Sequence, residues 1–184
     1  MGDSVINDQT VLAVIPARGG SKRCPRKNIK PFRGIPLLLW SIEAAKQSRY
    51  IDMLVVSSDD KEILELALGA DCFINERPPE LATDDATNED VLRYCLKKQP
   101  ADVIVLLQPT SPLRIADDID LCIERAMLGE ACVSYRRDKT KNGAVYVARR
   151  QWIQVNDFSN NATMRYYMPD ERSLDIDYPE QFDE

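Results

Sequence analysis

Three short, unbroken apolar runs, at Val11–Ile15, Met53-Leu54-Val55-Val56 and Val103–Leu107, constrain the fold of this chain most. A strand with apolar residues at every position has no solvent face, so other elements must cover it on both sides. Segments with helical character lie between and after these runs. They are Pro36–Ser48, with Leu38, Ile42 and Ala45 at helical spacing; Asp60–Leu68, with acids in its first turn; a segment capped by Thr87 or Asn88 and running to about Lys98; and Asp117–Leu128. Further short strands are expected at Asp71–Ile74, Ala131–Ser134 and Ala144–Ala148. Arg77–Asp85, with its Pro78-Pro79 pair, reads as a loop. The alternation predicts an α/β protein with an open, mostly parallel sheet and helices on both faces. The 184 residues fit one domain with a substantial core.

The first apolar run leads directly into Pro16-Ala-Arg-Gly-Gly-Ser-Lys-Arg-Cys-Pro-Arg-Lys-Asn28, a loop with several cations and no acid in a chain of net charge −6. Such a local reversal of charge calls for an anionic partner, and a phosphate chain suits it. Gly19 and Gly20 let backbone N–H groups approach an anion, while Arg18 and Lys22 supply charge and donors. The competing reading is a solvated basic loop. Neither G-x-x-x-x-G-K-[ST] nor G-x-G-x-x-G is present, so a nucleotide bound here sits in a different cradle. In open α/β sheets ligands lie beyond the carboxyl ends of the strands. The basic loop, Ser57-Ser58-Asp59 and Gln108–Arg114 all follow strands and are expected to share one rim.

Composition closes off other chemistry. A net negative chain is a poor general binder of nucleic acid or anionic membrane, and its apolar runs are too short to span a bilayer. Met1–Thr10 carries two aspartates and no cation, which reads as a frayed tail rather than a secretory leader. The absence of histidine removes Ser-His-Asp and Cys-His catalysis, His-ligated zinc and any imidazole base. The five cysteines form no C-x-x-C pair, and four lie in apolar strands or helices as buried free thiols, so a reduced, cytoplasmic protein is expected. Cys24, in the basic loop, sits where cations can lower a thiol pKa, but nothing nearby reads as a general base for a nucleophile.

Carboxylates offer the remaining chemistry. Ser173-Leu-Asp-Ile-Asp177 alternates polar and apolar residues, so on an extended segment Asp175 and Asp177 project together while Leu174 and Ile176 pack inward. Two such carboxylates suit Mg²⁺, which takes oxygen ligands and accompanies phosphate. The plainer reading is the exposed face of a half-buried strand.

Five segments in register carry a resemblance reaching from Val11 nearly to the last residue. They are Ile15-Pro-Ala-Arg-Gly-Gly-Ser-Lys22 with Lys27-Asn28, Arg77-Pro-Pro-Glu-Leu-Ala82, Leu107-Gln-Pro-Thr-Ser-Pro-Leu-Arg114, Asn142-Gly-Ala-Val-Tyr-Val147 and Ser173-Leu-Asp-Ile-Asp177. The chain resembles the acylneuraminate cytidylyltransferases, which make CMP-activated sialic acids and related nine-carbon sugars. The resemblance implies a Rossmann-like, GT-A-like nucleotidyltransferase fold and a homodimer. It implies transfer of CMP from CTP to the anomeric hydroxyl of a nine-carbon 2-keto sugar acid, of sialic, legionaminic or pseudaminic type, with loss of pyrophosphate. It assigns Ala17, Arg18, Gly19, Gly20, Ser21, Lys22 and Asn28 to the nucleotide loop, and Arg77, Thr87 and Asn88 to the cytidine site. Arg18 and Lys22 would offset charge on the triphosphate. Gln108, Arg114 and Asn142 would face the sugar, and Asp175 and Asp177 would hold Mg²⁺. Arg114 has a second reading, a pairing with Asp117 and Asp118 on the next helix, and Arg77 a second reading as a surface residue. Tyr166-Tyr167 reads as packing.

One departure stands out. Between Cys132 and Asn142 the family carries a longer excursion, with dimer contacts and part of the sugar site, so about 40 residues look missing here. The strand Ala131–Ser134 passes into a basic cluster with no turn signal, which reads as an omitted mobile flap rather than a true deletion. Two rival functions stand: an enzyme of the same fold using the eight-carbon Kdo, and a non-catalytic nucleotide-binding relative. The complete set Arg18, Lys22, Asp175 and Asp177 favours the enzyme.

Overall fold

The computed structural model describes residues 6, 8–160 and 162–183. β1 (Val11–Pro16) is the keystone. It pairs in parallel with β4 (Met53–Ser58) on one side and β6 (Val103–Leu106) on the other. β5 (Phe73–Glu76) extends the parallel set beyond β4. On the far side β8 (Lys141–Arg149) runs antiparallel to both β6 and β7 (Ala131–Tyr135), and β9 (Met164–Tyr167) closes the edge parallel to β7. The order is β5-β4-β1-β6-β8-β7-β9, so the sheet is mostly parallel, as expected, with one reversed strand inside it.

The unbroken apolar runs find their explanation here. Alternate side chains of β1 go to opposite faces: Val11, Ala13 and Ile15 join one apolar cluster, Leu12 and Val14 another. The first cluster is capped by α1 (Leu37–Lys46), α2 (Lys61–Gly69) and α4 (Ala116–Leu128), the second by α3 (Asn88–Lys98) and α5 (Arg150–Val155). Each Val, Leu or Ile side chain among them, buried completely, contributes about 1.5–3 kcal/mol.

Helix starts follow their caps. The Asp60 carboxylate accepts from the N–H groups of Glu62 (2.9 Å) and Ile63 (3.3 Å). At α3 the cap is Thr87 rather than Asn88, in a reciprocal box with Asp90. The strand expected at Asp71–Ile74 begins two residues later, because Asp71 sits in the left-handed region (φ 51°) and ends the preceding turn.

Several elements escaped the pattern reading. α5 is only six residues long, too short for a period to register. β9 buries one residue of its four. A two-residue hairpin, β2 (Pro31–Phe32) with β3 (Ile35–Pro36), turns through Arg33 and Gly34, both at positive φ. The passage from β7 to β8 does contain a turn. Arg136 N–H donates to Thr140 O (2.8 Å), Lys139 N–H to Arg136 O (3.0 Å), and the Asp138 carboxylate accepts from Thr140. A lysine at φ 71° takes the place where glycine or asparagine would have signalled it. Of the tail reading at Met1–Thr10, residues 1–5 and 7 lie outside the described residues. Within them it fails: Ile6 packs on the first cluster, and Thr10 is tied to Asp102 through both N–H and hydroxyl at 2.9 Å.

Candidate active site

β1, β4, β5, β6 and β7 all end on one rim, and the loops beyond them enclose a cleft of about 510 Å³. Loops from distant parts of the chain meet there. Arg18, Asn28, Arg77, Gln108, Asp175 and Asp177 all line it, from four of the five motif segments. Ser21, Thr87 and Asn88 line it too. A smaller adjoining hollow of about 330 Å³ is bounded by Lys22 and Arg23 together with Arg18, Lys27 and Asp177.

The basic loop is shaped by the acids facing it. Gly19 N–H donates to Asp59 Oδ1 (2.9 Å), so the anion it approaches is a protein carboxylate. A Cβ on Gly19 would fall 2.7 Å from Asp60 Oδ2, which is why glycine stands there; Gly20 has open space around it. Ala17 is buried and bonds Ser57 O through its N–H (2.9 Å), continuing the sheet rather than facing the cleft. Asn28, also buried, donates from Nδ2 to Arg18 O (2.9 Å) and folds the loop on itself. Arg18 reaches Asp84 Oδ1 at 2.8 Å and Thr83 O at 3.2 Å, and Lys22 pairs with the other oxygen of Asp84. Lys22, then Arg18, hold the Asp84 carboxyl below the usual carboxylate range. Cys24 is buried against Phe32, Leu37, Ile176 and Phe182, a packing position. The other four cysteines are buried and free as expected, and burial pushes the Cys95 thiol up to about 11.

Arg77 is not a surface residue. Its guanidinium donates to Ser57 O at 2.8 Å, and burial lowers its pKa, with Asp59 opposing.

Two assignments to the sugar face meet a correction. Arg114 is 2% exposed and lies beneath its own loop, where it donates to Gln108 O (2.9 Å), Ser111 O (2.7 Å) and Ser41 Oγ. It organises the Gln108–Ser111 turn instead of reaching the cleft, and it makes no hydrogen bond to Asp117 or Asp118 among the described residues. Asn142 is buried between β7, β8 and the final segment, with its Oδ1 accepting from Ser134 Oγ (2.6 Å) and Ala144 N–H (3.1 Å). Its Nδ2 donates to Ser173 Oγ at 3.1 Å. The resemblance assigned both residues to a ligand; loop and strand groups of the chain itself take their polar atoms instead.

On the acidic side, Ser173–Asp177 lies in no strand or helix. Leu174 and Ile176 pack inward and the two aspartates face the cleft, as the alternation predicts. Asp177 is paired with Lys27 (3.0 Å) and Arg23 (3.2 Å). Asp175 differs: burial raises its pKa, a hydrogen bond from Thr110 opposes the rise, and its Oδ1 is buried with no hydrogen-bond partner among the described residues. An orphaned carboxylate oxygen at a cleft is an acceptor in want of a cation or a donor. Gly143 (φ 75°) lets β8 start against this group; a Cβ there would lie 2.6 Å from Gln108 Oε1 and 3.7 Å from Asp175 Oδ2. Tyr166 packs as expected, its hydroxyl on Asp118 at 2.8 Å.

Sequence reasoning left Lys27, Thr110 and Asp84 without roles. Lys27 Nζ bonds Ile176 O (3.1 Å) as well as Asp177, and so joins the basic loop to the acidic segment. Its signal was available, a further cation beside Asn28. Asp84 had none, because an acid facing two cations of a distant loop is legible only once the fold brings them together.

Residues 12–164 match the family model described as cytidylyltransferase; the match ends before Asp175 and Asp177. The chain is 30% identical over 205 residues to N-acylneuraminate cytidylyltransferase A of Danio rerio, covering 91% of this chain and 48% of that protein. That alignment is longer than the whole of this chain, so the relative carries extra residues inside the matched region. Pseudaminic acid cytidylyltransferase of Campylobacter jejuni is 41% identical over 122 residues, 62% of this chain and 52% of that protein. The chain thus spans about half the length of the curated relatives it matches. Among solved structures, a CMP:2-keto-3-deoxy-manno-octonic acid synthetase complexed with CTP superposes with a TM-score of 0.75 at 16% identity, covering 95% of each chain, a likeness of fold. Among the described residues no helix is long and apolar enough to cross a membrane. With the motif segments gathered on one rim of a mostly parallel sheet and the family model spanning most of the chain, this protein belongs to the cytidylyltransferase family.

Proposed function

We propose that this chain transfers CMP from CTP to the anomeric hydroxyl of a nine-carbon 2-keto sugar acid, releasing pyrophosphate. The convergence on one cleft of the cations of the 17–28 loop, the start of α3 and the carboxylates of 173–177 carries this reading. In-line transfer from a triphosphate is accomplished mainly by positioning and charge neutralisation, and the cleft offers both. Arg18 and Lys22 bind the β- and γ-phosphates, taking up the charge that grows on the leaving pyrophosphate, and Asp84 yields its place to them. Lys27 stands between this cation cluster and Asp177, where it supports the α-phosphate side. Asn28, Arg77 and the Thr87-Asn88 helix start orient the nucleoside, and Gln108 faces the incoming sugar.

Asp175 and Asp177 fit Mg²⁺. The orphaned Asp175 oxygen, the two-carboxylate donor set and the neighbouring phosphate cations match an ion that takes one or two carboxylates together with substrate phosphates. When bound, Mg²⁺ supplies electrostatic stabilisation at the phosphoryl group and acidifies a coordinated hydroxyl. In the chain itself Lys27 and Arg23 engage Asp177, while Asp175 keeps one oxygen without a partner at the cleft. A homodimer working in a reduced cytoplasm belongs to the same reading.

The test is pyrophosphate release from CTP and Mg²⁺ with a panel of sialic, legionaminic and pseudaminic acids, and Kdo as control. Release with one nine-carbon sugar is the expected outcome and names the substrate. Release with Kdo alone moves the assignment to the eight-carbon class. CTP binding without release in any arm overturns catalysis and leaves a nucleotide-binding protein.

A further inference from the structure

We propose that Gln181 is a positioning residue that sets the geometry in which Asp175 and Asp177 meet the metal; the inference rests on reading those two carboxylates as its ligands. Residues 173–177 belong to no strand or helix, so their backbone groups need partners from elsewhere. One carboxamide supplies three. Gln181 Oε1 accepts from Asp177 N–H (2.8 Å) and Tyr178 N–H (2.9 Å), and Nε2 donates to Asp175 O (2.9 Å). Ile176, between the aspartates, is held from the other side, by Thr110 O (2.8 Å) and Lys27 Nζ (3.1 Å). The peptide groups that carry both aspartates are thereby fixed from behind, and the side chains face the cleft.

The residue type follows from the bonding. The position needs an acceptor with two lone pairs and a donor on one short planar group, which is a carboxamide. Glutamate would keep the acceptors, lose the donor to Asp175 O and add a third negative charge beside two carboxylates. Gln181 is itself preplaced. It lies in a 3-10 turn, Pro179–Asp183, whose buried Phe182 packs edge-on to Phe32 at 6.5 Å and under Lys30 at 4.4 Å. Groups that orient metal ligands from the second layer typically govern affinity or activity by 10- to 100-fold.

The full chain carries the test, with Gln181→Ala, Gln181→Glu and Asp175→Asn. In Gln181→Ala the Asp177 and Tyr178 amides should exchange faster by NMR. The Mg²⁺ concentration for half-maximal pyrophosphate release should rise roughly 10- to 100-fold, while KM for CTP at saturating Mg²⁺ stays near wild type. Gln181→Glu should keep both amides protected but lose the donor to Asp175 O. Because its added charge by itself would draw the cation more tightly, a raised Mg²⁺ requirement there reports lost positioning. Mn²⁺ affinity in the presence of CTP, read by electron paramagnetic resonance, gives the same comparison without turnover. Equal Mn²⁺ affinity and equal Mg²⁺ requirement in wild type and either Gln181 variant overturn the inference, as do unprotected amides in the wild type. If Gln181→Ala does not fold, Gln181→Glu decides alone. Full turnover in Asp175→Asn sinks the metal reading together with the inference. Lost turnover there with unmoved Gln181 variants sinks the inference alone.

Discussion

The two walls of the cleft are built on opposite principles. The cationic wall, residues 17–28, is local and surface-held. Arg18 and Lys22, with side chains 35% and 79% exposed, are paired to a single carboxylate, Asp84, that is itself half exposed. Exposed pairs of this kind are worth little and rearrange readily. The acidic wall is remote in sequence and pinned from every side, through Gln181, Thr110, Lys27 and Asn142, yet its central carboxylate is left with an unpaired oxygen. On the proposed function, the wall that admits and releases a triphosphate keeps its charges in exchangeable contacts, and the wall that holds a cation fixes its backbone and leaves one oxygen of Asp175 unpaired.

This contrast is open to attack, most sharply at Asp175. Asp175→Asn keeps the shape and removes the charge, so turnover is expected to fall by at least about 10²–10³-fold. The melting temperature is not expected to drop, because a desolvated charge is being removed. Unchanged pyrophosphate release in that variant would erase the distinction between the walls.

Next in size is the clamp behind the acidic wall. Asp118, fully buried on α4, accepts from Arg172 Nε and Nη2 (both 2.9 Å), from Tyr166 and from Ile115 N–H. Removing Arg172 leaves that carboxylate buried and under-compensated, so Arg172→Ala is expected to cost about 3 kcal/mol in urea unfolding. A loss below 1 kcal/mol would mean the acidic wall is no more firmly held than the other.

The smallest effect falls on the exchangeable side. Asp84 stays ionised through the neutral range, since Lys22 and Arg18 hold its pKa low. Asp84→Asn should free both cations and tighten CTP binding by about two- to five-fold in titration calorimetry, with a steeper dependence on salt. Weaker binding would show that Asp84 shapes the site rather than keeping the phosphates' place.

Much of the fold was legible because burial on two faces leaves an unambiguous pattern. β1, β4 and β6 are apolar at nearly every position, and Asp60 and Thr87 mark helix starts through chemistry internal to a few residues. The elements missed are those whose burial is slight or whose length is under two turns, α5 and β9. At the cleft, charge and spacing singled out Arg18, Lys22, Asp175 and Asp177, which the fold brings together on its walls. The resemblance placed Arg114 and Asn142 toward the sugar, where the structure has them bracing a loop and a strand, because a polar side chain that braces a loop carries the same residue type as one that binds a ligand.

The chain's order of residues settles a covered parallel sheet, a cationic loop after its first strand, and a pair of aspartates two apart near its end; each depends on neighbours within a few positions. Tertiary structure alone decides that Asp84 answers Arg18 across 66 positions, that Lys27 reaches Asp177 across 150, and that Asp175 keeps one oxygen unpaired. The reason is physical. Propensity and periodicity act over a turn or two of chain, whereas charge pairing and desolvation depend on distance in space, which only the assembled sheet and its returning final segment define.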